Sequence, residues 1–302
     1  MSDASSVNFD SRDSQRPCLH KRRSFRCIKA GLLQIVVAAA LSALGPSAGQ
    51  AQQAAPEGKI VQPLQQLPIV MLPDKPILEP RALEILKAAS DKLAAAHSMA
   101  FTAVATYESP AKTLQPLAYS TLSEVTLQRP NKLRVITPAD GPPTEFYYDG
   151  KVMAAYSPNT NLVAVGEAPP TIDEMLKVAF DKAAIYFPFD DVIATDPYKD
   201  LGPDLKLAFV IGQSHVIGGV VTDMVAIAND KAQAQIWIGA EDKLPRMVRV
   251  TYFNEPGNFR HEVRFSDWHL NVVTSPDTFS SNKFAKAIRV KFASPDEKLP
   301  KP

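Results

Sequence analysis

The segment Phe146-Tyr147-Tyr148-Asp149-Gly150-Lys151-Val152-Met153-Ala154-Ala155-Tyr156 decides the fold class. Two short runs rich in aromatic and aliphatic residues flank Asp-Gly, the dipeptide that most strongly signals a two-residue turn between antiparallel strands. Ser157-Pro158-Asn159-Thr160-Asn161 then supplies another turn, and Leu162 to Val165 returns as a further strand. Working backwards, Lys132–Thr137, Tyr119–Gln128 and Phe101–Tyr107 show the same period of two and end at prolines or turn residues. Working forwards, strand patterns recur at Lys206–Val216, Val221–Ala228, Gln233–Ile238, Arg246–Phe253, Phe259–Phe265 and Trp268–Val273, with Gly218-Gly219 turning the first pair. Strands joined by short turns pair antiparallel. The expectation is a mainly antiparallel sheet of about ten or eleven strands, with helices added.

Two segments carry the helical period instead. Glu79 to His97 has Pro80 in its first turn, where the missing N–H costs nothing. Leu83, Leu86, Ser90, Leu93 and His97 form a stripe beside Ala82, Ala89 and Ala96, which places His97 in the core. Thr171-Ile172-Asp173-Glu174 has the form of a capping box, and Ile172, Met175, Leu176, Ala179 and Ala183 follow at helical spacing. This helix is expected to stop before Phe187-Pro188-Phe189.

The chain has 302 residues, 45% of them hydrophobic and 22% charged, which is the composition of a folded protein. Seven of its 33 Lys/Arg residues lie in residues 1–51, and the remainder is nearly neutral with no basic stripe. That argues against nucleic acid as a partner. His20-Lys21-Arg22-Arg23-Ser24-Phe25-Arg26, the apolar run Leu32–Leu44 and the small residues up to Ala51 form the pattern of a secretory signal peptide over 1–51, cleaved near Ala48 or Ala51. The alternative is an uncleaved segment that anchors the chain in the inner membrane. Cys18 and Cys27 both precede the apolar run, so a periplasmic mature chain has no disulfide and no Cys for lipid attachment. Residues 52–76 read as a Pro/Gln-rich linker, 77–292 as one curved-sheet domain and 293–302 as a polar tail.

A search for chemistry returns little. His97, His215, His261 and His269 form no tight metal-binding pair, although His261 and His269 share a strand face if that strand is continuous, with Asp267 beside them. Ser214 and His215 are adjacent in a strand, so their side chains point to opposite faces. There is no nucleophile elbow, phosphate-binding loop or Cys-x-x-Cys. No enzyme activity, no metal and no cofactor is expected. The positive feature is a set of aromatic residues in strands, which either fills a core or lines an apolar hollow. Both readings stand at the level of sequence.

Tyr148-Asp149-Gly150-Lys151, Thr171-Ile172-Asp173-Glu174-Met175-Leu176, Gln235-Ile236-Trp237-Ile238, Leu244-Pro245-Arg246-Met247-Val248 with Val250-Thr251-Tyr252, and Phe265-Ser266-Asp267-Trp268 stand in the order of a family of predicted bacterial periplasmic proteins. That family resembles the lipoprotein-localisation carriers and receptors (LolA/LolB-like) over about residues 79–290. The resemblance implies an unclosed β-barrel of about eleven antiparallel strands with helices on its concave, apolar side. It also implies a ligand such as a lipid or a lipoprotein acyl chain. An envelope protein partner bound by a solidly packed sheet is the alternative. The ligand-lining candidates are Phe101, Tyr107, Tyr148, Trp237, Tyr252 and Trp268. Ile172, Met175, Leu176, Phe187 and Phe189 are candidates for a movable lid. Phe279-Ser280-Ser281-Asn282-Lys283-Phe284-Ala285-Lys286-Ala287 replaces the Pro/Gly-containing end expected for the family, so the C-terminal edge of the barrel is expected to close differently.

Overall fold

A computed structural model describes residues 72–292 apart from 111–114, 139–141, 202–203, 254–256 and 281. The expected signal peptide, linker residues 52–71 and the tail 293–302 lie outside the described residues.

The chain first forms a two-residue strand β1 (Ile77–Leu78) and helix α1 (Pro80–Ala94). A meander of six strands follows: β2 (Ser98–Pro110), β3 (Pro116–Gln128), β4 (Lys132–Thr137), β5 (Thr144–Tyr148), β6 (Val152–Ser157) and β7 (Leu162–Glu167). Helices α2 (Ile172–Ala183), α3 (Asp190–Ile193) and α4 (Pro197–Leu201) interrupt it. A second meander then runs through β8 (Leu207–Ser214), β9 (Thr222–Ala228), β10 (Ala232–Gly239), β11 (Pro245–Tyr252) and β12 (Arg260–Leu270). Strand β12 pairs antiparallel with β2, joining both meanders into one curled sheet, and β13 (Ile288–Val290) ends it. The order is β1-β8-β9-β10-β11-β12-β2-β3-β4-β5-β6-β7-β13, with β1 and β13 at its two ends, so the sheet is unclosed.

The expected ten or eleven strands become thirteen. The added β1 and β13 are too short to carry a period, and both pair parallel, with β8 and β7 respectively. Glu79 secures β1: its backbone N–H donates to the Ala208 carbonyl at 2.8 Å and its carboxylate accepts from the Val210 N–H at 2.8 Å. The tight turn in the deciding segment is also displaced by one residue. Asp149 pairs with Val152 across Gly150-Lys151, Gly150 has φ 96°, and the Asp149 carboxylate accepts from the Lys151 and Val152 N–H groups at 2.9 and 2.8 Å. A positive φ at the first central position is the conformation that glycine supplies without strain.

Strand alternation separates two faces. One face carries Phe101, Ala103 and Ala105 on β2, Val125 and Leu127 on β3, Leu133 and Val135 on β4, Phe146 and Tyr148 on β5, and Val263 and Phe265 on β12, all buried. Helix α2, through Ile172, Met175, Leu176, Ala179 and Ala183, packs on that face with Phe187, Phe189 and Ile193. Helix α1 covers the same face further along, seating Ala82, Ile85, Leu86 and Ala89 on Ala208 of β8, Val225 and Ile227 of β9 and Ala234, Ile236 and Ile238 of β10. The small alanines let it lie close to the strands. The other face is polar where the strands are central, with Glu108 paired to Arg260 and Glu262 to Arg264.

His97 is not in the core. Helix α1 ends three residues before it, its side chain is exposed, and its backbone bonds to Asn271 and Arg129 instead. The α2 start makes the first of the two bonds of the capping box: Thr171 Oγ1 accepts from the Glu174 N–H at 3.3 Å. The Glu174 carboxylate accepts from the Thr171 hydroxyl at 3.0 Å, in place of the Thr171 backbone N–H that the full box would use, and Asp173 and Glu174 lie at the positive end of the helix dipole. Thr171→Ala is expected to cost about 1 kcal/mol and Thr171→Ser a small fraction of it, read from urea midpoints. Equal losses in both variants would show that the methyl group, not the cap, matters.

Candidate functional site

The candidate residues fall into three places. Phe101 and Trp268 meet the lid residues under α2. Phe101 stacks on Trp268 with centroids 4.5 Å apart and meets the edges of Phe189 and Phe265 at 5.9 Å each. Trp268 reaches this position because β12 carries a bulge. Ser266 pairs with Thr102 and His269 with Ala100, so Asp267 and Trp268 together oppose Phe101, and Asp267 adopts a left-handed φ of 54°. Its indole N–H donates to the Pro245 carbonyl at 2.9 Å. The same bulge turns His269 to the face opposite His261, so the two histidines do not share a face. Among the described residues no cluster of His, Cys, Asp and Glu could hold a metal ion.

Ile172, Met175, Leu176, Phe187 and Phe189 are all buried against the sheet. Phe187 contacts Phe146 at 5.1 Å and Phe189 at 5.7 Å. Tyr148 is fully buried, and its hydroxyl donates to the Pro169 carbonyl at 2.5 Å, just before α2. Burial pushes its phenol up to about 12, helped by the neighbouring Asp149 and Glu174 carboxylates.

Tyr107 and Tyr252 lie on the same face but past the helices. Tyr107 stacks on Tyr119 across β2 and β3 at 5.8 Å, and Tyr252 meets His261 edge-on at 5.3 Å. His261 in turn pairs with Tyr107 in register. Tyr119 is 46% exposed and Leu117, on the same face, 47%. The apolar face therefore runs on from a covered part to an uncovered one.

Trp237 is elsewhere. Its neighbours Ile236 and Ile238 face helix α1, so alternation sends Trp237 to the opposite face, in register with Met224 and Met247. It is buried there and lines nothing that the other candidates line.

Arg129, which directly follows the Tyr119–Gln128 strand pattern, ties down the helical cover. Its guanidinium donates to the Ile193 and Ala194 carbonyls at 3.2 and 3.0 Å, at the end of α3. The next residue, Pro130, accepts the Ile172 N–H at 2.9 Å, at the start of α2. Burial holds the guanidinium below its usual range despite the Asp173 carboxylate nearby, and its Nε has no hydrogen-bond partner among the described residues. One β-turn thus grips both ends of the cover. No local pattern marks such a residue, because its partners are carbonyls more than 60 positions away.

The model of one protein family matches residues 82–293. The chain belongs to DUF2092, a family of predicted periplasmic proteins. No curated protein is significantly similar to this DUF2092 chain in sequence. Among solved structures it is similar to lipoprotein LppX of Mycobacterium tuberculosis, at 12% identity and TM-score 0.41 over 65% of this chain and 98% of that one. It is also similar to the Pseudomonas aeruginosa MucA/MucB complex, at 12% identity and TM-score 0.40 over 70% of this chain and 64% of that one. A LolA superfamily protein, NE2245 from Nitrosomonas europaea, matches at 10% identity and TM-score 0.33 over 67% of this chain and 98% of that one. Within the DUF2092 domain, no helix of the described residues is long and apolar enough to cross a membrane.

Proposed function

We propose that the protein is a periplasmic, non-enzymatic binding protein for a lipophilic ligand, the acyl part of a lipid or lipoprotein, held on the helix side of the sheet. One observation carries this reading. The helix side is apolar along the strands, yet the helices cover only part of it, and Leu117, Tyr107, Tyr119 and Tyr252 continue the buried surface into solvent. Apolar surface left continuous with a core is a binding feature more often than an accident of solubility. Removing 200 Å² of acyl surface from water there contributes roughly 5 kcal/mol before ordering costs. Helix α2 and Phe187-Pro188-Phe189 would lift to lengthen the track, with the Arg129 turn as their attachment.

The test is mass spectrometry of the protein purified from a Gram-negative periplasm, intact and after solvent extraction. About one lipid or fatty acid per chain is the expected result, and an empty protein under gentle conditions would overturn it. A second reading, an envelope interaction module with a solid sheet, is favoured by the ring packing of Phe101, Phe189, Phe265 and Trp268, which already fills the space under α2. The empty protein would be its signature.

A further inference from the structure

We propose that the tip of the β8–β9 hairpin is a membrane-contact element that seats the protein on a lipid bilayer. The proposal rests on the lipid-binding reading above, but on different residues at the opposite end of the strands. From Leu207 to Thr222, sixteen consecutive residues include no Asp, Glu, Lys or Arg, in a chain that is 22% charged. Val216 is 83% exposed at the tip, Val220 and Val221 are exposed beside it, and Ile211 is exposed further back along β8. Exposed single apolar residues need no explanation, but three together at one uncharged turn do.

The tip is held in place. Residues Ile217–Gly219 form a 3-10 turn in which Gly218 and Gly219 have φ of 73° and 69°. A Cβ on Gly218 would fall 2.6 Å from Cδ of Arg246, so the turn lies directly on the arginine stem. That guanidinium is itself fixed by Asp242 at 2.5 Å and by the Leu244 carbonyl at 3.0 Å. Below the tip a cleft of about 380 Å³ opens, lined by the polar Asp242, Arg246, Ser266 and Asp267 and by the apolar Leu244, Phe265 and Trp268, together with Gly218. Its back wall, Phe265 and Trp268, is the same ring set that packs on Phe101 in the core. An acyl chain leaving a bilayer at the tip would therefore meet rings continuous with the helix-side core, with Arg246 and Asp267 at headgroup level.

Size favours a bilayer over a protein partner. A stable protein interface needs roughly 800 Å² from each side. A few exposed side chains at one hairpin turn offer far less, which a fluid interface accepts and a folded partner would have to supplement elsewhere. The lack of charge fits the boundary between headgroups and acyl chains, where apolar side chains bury and ions do not.

The experiment is flotation of the full mature chain with vesicles of phosphatidylethanolamine and phosphatidylglycerol, beside a V216S/V220S/V221S variant and an I288S/V290S variant, whose exposed apolar residues lie on β13 at the far end of the sheet order. The wild type is expected to float, the valine variant to lose about tenfold or more in partitioning with an unchanged thermal unfolding curve, and the Ile288/Val290 variant to float as the wild type does. A wild type that stays with the soluble fraction, or a valine variant that floats equally well, would overturn the proposal. Lipid retention measured on the same preparations keeps the two readings apart: a protein that carries lipid but ignores vesicles removes only the docking tip.

Discussion

Phe101→Ala is expected to lower the unfolding free energy by about 3–5 kcal/mol, the range for deleting a buried phenylalanine ring. The ring is 3% exposed and is touched from three directions, by Trp268 across the bulge, by Phe265 on the neighbouring strand and by Phe189 from the helical cover. Neighbours that belong to different elements cannot all move inward together, so the void persists and the cost falls at the upper end of the range. Urea unfolding at neutral pH measures it. A loss below about 1 kcal/mol would show that the space beneath the cover is open in solution and that the rings do not pack as described. The same variant probes function, because a void of ring size beneath α2 enlarges the track that an acyl chain would use.

Tyr148→Phe should cost about 0.5–1.5 kcal/mol, because the half-buried Pro169 carbonyl loses its donor while the ring stays in place. The hydroxyl also makes stability depend on alkaline pH. Burial raises the phenol in the folded state from 10.0 to about 12, so the native protein holds this proton more tightly than the unfolded chain does. The contribution is complete below about pH 10 and is lost as pH rises towards about 12. Unfolding midpoints across that window should fall more steeply for the wild type than for Tyr148→Phe. Tyr147, raised in the same direction by burial and by its bond to Glu145, accounts for slope that remains. Parallel curves would mean that Tyr148 is hydrated in solution.

Much of this architecture could be read along the chain. The period of two at Phe101–Tyr107 and Tyr119–Gln128 reports a sheet with one apolar face, because alternation is a property of each strand by itself. The capping pattern at Thr171–Glu174 reports a helix start, because the bonds that satisfy it span three residues. The aromatic candidates Phe101 and Tyr148 are visible for the same reason, as large apolar residues in period, whereas Trp268 shares their face only through the bulge that breaks the period after Phe265.

What the sequence by itself determined is thus the antiparallel sheet, its two main helices and membership of a periplasmic-type family, all written in contacts between residues close in the chain. Only the tertiary structure decided which face the helices cover. That choice sends Trp237 away from the site and keeps Tyr107 and Tyr252 on it but past the cover. It also placed the bulge at Asp267, which swings Trp268 onto Phe101 and parts His269 from His261, and it set Arg129 against carbonyls of α3. Each of these depends on register between strands or on packing between elements distant in sequence, and a single strand's pattern is identical whichever of its faces becomes the inside.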